Sequence, residues 1–149
     1  MKLCCFFLHC PFYRFPIYNA IAEAFNCDYY FNDYVPYGSK PLDVNKLKGF
    51  RTFLRGFNMH YKEYVWNNGF FKLVRGNYSH FLLSGDPSYL LNWLIILYSK
   101  IFHKKVYLWC HGQKSPVKRK LTRFYIRLFY AHVDGIFVYG EHVIPNMVD

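Results

Sequence analysis

The chain has no CxxC pair, no GxGxxG after its first apolar run and no apolar stretch near the ~20 residues that span a bilayer. The last two absences argue against a dinucleotide-dependent oxidoreductase and an integral membrane protein. The longest apolar stretch, residues 89–97, is interrupted by Asn92. The opening run at residues 3–8 is too brief for a signal-peptide core and is followed by His9 and Pro11, so no export signal is read. A cytoplasmic location follows as an expectation, and it makes the sequon at Asn77, Tyr78 and Ser79 uninformative. The tetrapeptide Gly112, Gln113, Lys114, Ser115 lacks the glycine a phosphate loop requires five positions earlier, where Tyr107 stands. His9, Cys10, Cys110 and His111 carry atoms that suit zinc, but their spacing matches no ligand pattern, and no metal is expected.

Acidic residues are scarce, with 9 Asp and Glu against 19 Lys and Arg, and the net charge of +10 implies a partner bearing negative charge: phosphate, nucleic acid or an anionic lipid surface. The 5 cysteines (Cys4, Cys5, Cys10, Cys27, Cys110) are odd in number and sit mostly inside apolar runs, which reads as buried, reduced thiols. Hydrophobic residues make up 53% of 149, enough for one substantial core and one domain. Aromatics reach 23%, which fits either an interaction surface or the AT-rich codons that Phe, Tyr, Lys and Asn share.

Apolar runs and helical periodicity alternate along the chain. Residues 3–8 predict a buried strand, 15–25 a helix with Pro16 in its first turn, and 27–31 a second strand. Residues 32–77 are punctuated by Pro36, Gly38, Pro41, Gly49 and Gly56; a strand near 52–54 and a helix over 64–75 are expected there. A strand at 81–83 leads to Asp86, a candidate helix cap, with Pro87 in the first turn of a helix reaching 98–102. A strand at 105–110, a helix at 117–132, a strand at 135–139 and a helix from Glu141 complete the pattern. In the 117–132 helix, Val117, Leu121, Phe124 and Leu128 form one stripe. Lys118, Arg119, Lys120, Arg123 and Arg127, with Tyr125 and Tyr130 nearby, give a basic side suited either to anionic head groups or to plain solvation. No nucleic-acid-binding motif is present.

Such alternation predicts an α/β domain, a Rossmann-like three-layer arrangement with a parallel sheet, whose ligands sit at the carboxyl ends of the strands. That rule nominates the loops at residues 9–14, 84–87, 111–115 and 140–141. Within them, His111 can donate or accept a hydrogen bond and Gly112 allows close backbone approach. Arg14, beside Tyr13, can pair with a phosphate or carboxylate, while Glu141 is simply favourable at a helix start.

The opening residues 7–16 (FLHCPFYRFP), "FLLSGDP" at 81–87, "KKVYLWCHG" at 104–112 and "LFYAHVDGIFVYGE" at 128–141 together resemble the N-terminal domain of glycosyltransferase family 4 enzymes, particularly bacterial ones that build surface polysaccharides. The resemblance covers nearly the whole chain, least over 32–77. It implies one half of a GT-B fold: residues 1–149 as the acceptor-side domain, ending before the half that binds the nucleotide-sugar. It further implies that His111 is catalytic, contacting the transferred sugar, and that His9, Tyr13, Arg14, Gly85, Gly112 and Glu141 contact substrate. No cofactor is implied, although the complete enzyme would use a nucleotide-sugar donor and a saccharide or lipid-linked acceptor at the inner face of the plasma membrane. The parent activity would be retaining hexosyl transfer, with this chain inactive alone. Many family members carry a glycine pair after the first strand where this chain has His9, Cys10 and Pro11, which puts a donor-phosphate contact there in question. A non-catalytic subunit of a split transferase and a basic nucleic-acid-binding protein remain as rival readings.

Overall fold

The computed structural model describes residues 1–33, 40, 42–59, 64–111 and 120–141. The most continuously apolar segment becomes the most buried strand: in β1 (Lys2–Phe7) every residue after Lys2 is buried. Successive side chains point to opposite faces. Cys4 and Phe6 therefore enter one core and Leu3, Cys5 and Phe7 the other. The remaining strands are β2 (Asn26–Asn32), β3 (Phe50–Met59), β4 (Tyr64–Asn68), β5 (His80–Ser84), β6 (Lys105–Cys110) and β7 (Gly135–Val138). They form one sheet in the order β4-β3-β2-β1-β5-β6-β7. All neighbours pair parallel except β3 and β4. Taken alone, the parallel strands follow the doubly wound order 3-2-1-4-5-6, compatible with a Rossmann-like domain.

Helices lie on both faces. The helix α1 (Phe15–Ala24) places Tyr18 and Ala22 against Cys5, Phe7 and Tyr29. On the other face, α2 (Phe70–Val74), α3 (Leu90–Ile101) and α4 (Lys120–Ala131) contribute Leu73, Leu91, Ile95 and Phe129. Among the described residues no helix is long and apolar enough to cross a membrane. None of the 5 cysteines forms a disulfide, and Cys110 is the one that is only partly buried.

Three expectations need correction. The helix anticipated over 64–75 is instead strand β4, a turn at Gly69 and the short α2, while β3 extends well beyond 52–54. The competing force is edge pairing: β4 adds antiparallel to β3 from Arg55↔Asn68 to Met59↔Tyr64, and buried Asn67 donates its side-chain amide to Asn32 Oδ1 at 3.1 Å. Asp86 does not cap α3, which starts at Leu90. Its carboxylate accepts the Ser88 amide at 2.9 Å and the Ser88 hydroxyl at 2.7 Å, closing a local turn of the Asx kind. Finally, the stripe of Leu121, Phe124 and Leu128 in α4 faces outward. Tyr125 and Phe129 turn inward instead, because their rings pack on Trp93 with centroids 4.8 and 5.0 Å away. Val117 and the helix anticipated beyond Glu141 lie outside the described residues.

At the amino end of the sheet one carboxylate ties three strands together. Asp28, 3% exposed, accepts hydrogen bonds from Tyr78 Oη at 2.6 Å and Arg51 Nε at 2.7 Å, and Lys2 Nζ lies 3.4 Å away. Burial raises its pKa, but the bonds from Tyr78 and Arg51 and the charges of Arg51 and Lys2 outweigh it and hold the carboxyl below its usual range. A depressed folded pKa contributes stability that is present above the unfolded carboxyl pKa and lost as pH falls through the folded one. Asp28→Asn should therefore lower unfolding free energy at pH 7 by about 1–3 kcal/mol in denaturant titrations. The deficit should shrink as pH falls below the normal carboxylate range.

Candidate functional site

Strands β1 and β5 are neighbours, and from them the chain winds outward in opposite directions, so their carboxyl ends splay at the topological switch point. A cavity of about 370 Å³ opens there. Its walls come from the ends of β1 (Leu8, His9), β5 (Ser84–Pro87) and β6 (Trp109–His111), from Arg14 and Tyr139, and from Ile126 and Tyr130 of α4. The turns bearing His9 and His111 thus share one rim, with β5 between their strands.

Local hydrogen bonds fix this rim. Leu8 N–H donates to Ser84 Oγ at 3.1 Å, joining the β1 and β5 ends, and Gly85 N–H donates to the Trp109 carbonyl at 3.0 Å. Gly85 has a steric duty, since a Cβ there would lie 2.6 Å from Cys110 Cβ. Its carbonyl accepts Tyr130 Oη at 3.2 Å, and Tyr125 Oη reaches the Pro87 carbonyl at 2.6 Å, so α4 is pinned to the β5 loop.

Arg14 ends a 3-10 turn, Phe12–Arg14, that carries the chain from β1 into α1. It is only 8% exposed, and its guanidinium carbon lies 5.0 Å from the Trp109 ring centroid and 5.5 Å from that of Tyr139. These are cation–π distances. Among the described residues no carboxylate lies within 4.0 Å of Arg14, and its Nε has no hydrogen-bond partner. Nη2 lies 3.4 Å from His111 Nε2. Because a guanidinium only donates, His111 Nε2 accepts, which requires a neutral ring protonated on Nδ1. The imidazole stacks on Tyr139 at 4.2 Å between centroids, with the ring planes 10° apart.

His9 is held below its ordinary pKa, first by burial, then by the positive charge of Arg14 and by competition with His111 for a proton. Burial raises the Tyr139 phenol, and Arg14 partly offsets this. The site is therefore a largely apolar cavity with one permanent cation and two imidazoles at it, of which His9 is kept from charging. It can accept an anion, and an anion there would relieve His9. Among the described residues, no group of three His, Cys, Asp or Glu side chains is arranged to hold a metal.

Of the residues expected at the site, His9, Arg14, Gly85 and His111 line the cavity. Tyr13 is exposed outside its lining, with its ring centroid 5.8 Å from the Arg14 guanidinium, and exposed Glu141 does not line it either. Gly112 lies outside the described residues. Trp109 and Tyr139 were not anticipated; both end or follow strands that point to this rim, so the strand-end rule could have found them. No family model, curated protein or solved structure matches this chain.

A lowered histidine pKa opposes folding as pH falls through the unfolded value, since the unfolded chain takes up the proton more readily. NMR titration of the imidazoles should find His9 below 6.5, and Arg14→Gln should move its midpoint upward.

Proposed function

We propose that the chain is the acceptor-side domain of a retaining hexosyltransferase resembling glycosyltransferase family 4, and that its cavity seats a phosphate-bearing saccharide. The observation that carries this reading is Arg14, a buried guanidinium with no acid beside it among the described residues, facing a cavity flanked by His9 and His111. An uncompensated buried cation is costly, and a phosphate or carboxylate supplied by a ligand offsets that cost with charge-assisted hydrogen bonds. Arg14 lines the cavity, so its guanidinium is the donor group offered to such a ligand.

The neutral His111 ring, stacked on Tyr139 at the mouth, is suited to hydrogen-bond a sugar hydroxyl, in keeping with the role the family resemblance implies. The strand order and the position of the cavity at the switch point support a ligand-binding α/β domain. The nucleotide-sugar is assigned to a second half of the enzyme, whether continuous with this chain or separate. Chemistry by this domain alone is not proposed.

Calorimetric titration tests the reading. A hexose 1-phosphate should bind and the free hexose should not, because the guanidinium supplies most of the contact. Arg14→Gln should weaken binding about 10–100-fold, the range of hydrogen bonds to charged groups. His111→Ala should weaken it less, and in a reconstituted enzyme it should cut turnover with folding intact. Equal affinity for both sugars, or an Arg14→Gln variant that binds normally, would contradict the proposal.

A further inference from the structure

The outward stripe of α4 combines two features that rarely share one solvated surface. Leu121 is 84% exposed, Phe124 65% and Leu128 39%, and their spacing of three, four and seven residues sets them on one side of the helix. Lys120, Arg123 and Arg127, also exposed, follow the same spacing on the adjoining stripe. No acidic residue occurs anywhere in α4. A solvated helix face would interleave charges of both signs and keep its large apolar side chains inward; here the inward positions are taken by Tyr125, Phe129 and Tyr130, so these apolar side chains are additional to the core.

We infer that this face of α4 is a docking surface for an anionic lipid bilayer. Charge complementarity selects the partner: the basic stripe suits lipid phosphates, while Leu121, Phe124 and Leu128 can enter the boundary between head groups and acyl chains. A helix of 12 residues lying in the interface plane needs only this one-sided apolar surface. The place of α4 in the fold gives the contact a consequence. Its opposite side supplies Ile126 and Tyr130 to the cavity wall, so docking brings the cavity beside the bilayer. Only that consequence, delivery of a lipid-linked acceptor, rests on the function proposed above; the docking itself does not.

Flotation of the purified chain with vesicles tests the inference. The protein should rise with vesicles of phosphatidylglycerol and phosphatidylcholine at low salt, release as salt is raised, and stay behind with phosphatidylcholine alone. Lys120→Gln with Arg127→Gln should lower partitioning about 30-fold. Leu121→Ser with Phe124→Ser should lower it at least about tenfold. Both changes are at exposed positions, so the unfolding midpoint should stay put, and both variants should bind hexose 1-phosphate as the parent does. The two readings therefore fail separately. Undiminished flotation of either double variant, or equal flotation with neutral vesicles, overturns the docking surface. So does binding to single-stranded nucleic acid that falls with the Lys120 and Arg127 changes while anionic vesicles take up nothing.

Discussion

The site turns on one electrostatic constraint: a guanidinium taken out of water with no acid among the described residues to meet it. Arg14 is held by rings, those of Trp109 and Tyr139, and by a contact to neutral His111. Cation–π contacts offset part of the desolvation cost, on the order of 2 kcal/mol each at buried sites, but they leave the in-plane donor Nε unsatisfied. Burial first, and then the same charge, keep protons off His9. Asp28 shows the contrast, since its buried charge is met by Arg51, Lys2 and a tyrosine hydroxyl within the fold. One buried charge is answered internally and serves structure; the other meets no acid among the described residues, and in the function proposed here a ligand anion would answer it.

The architecture explains why that charge stands where it does. Parallel strands end together at one rim, and the reversal of winding between β1 and β5 leaves a gap that no crossover fills. The turn after β1 drops Arg14 into this gap, and β6 and β7 bring aromatic residues across from it. The Ser84 hydroxyl and the Gly85 amide and carbonyl lock the neighbouring loops, so the cavity is built on rigid strand ends.

Much of this was legible in the chain, for identifiable reasons. Buried parallel strands read as continuous apolar runs, so β1, β2, β5, β6 and β7 were located within a residue or two. The strand-end rule brought His9, Arg14 and His111 together before any coordinates. Strand β4 was not legible, because Tyr64–Asn68 is half-buried at an edge and its pairing with β3 is a long-range choice that local periodicity does not encode. The orientation of α4 was hidden for a related reason. Both Leu121–Leu128 and Tyr125–Phe129 keep helical spacing, and the preference for the second depends on Trp93, more than thirty residues upstream, and on carbonyls that accept the tyrosine hydroxyls. The burial of Arg14 was likewise invisible, since only packing reveals that a helix-start arginine has left solvent.

The most direct test is the NMR signal of the Arg14 guanidinium Nη–H groups during titration with hexose 1-phosphate. Donors that meet a bound anion should show resonances that move far downfield and saturate with the phosphorylated sugar, yet stay still with the free hexose. A signal unmoved by the phosphate, or one already shifted and exchange-protected in the protein alone, would mean that the chain answers this charge itself and that no anion is awaited.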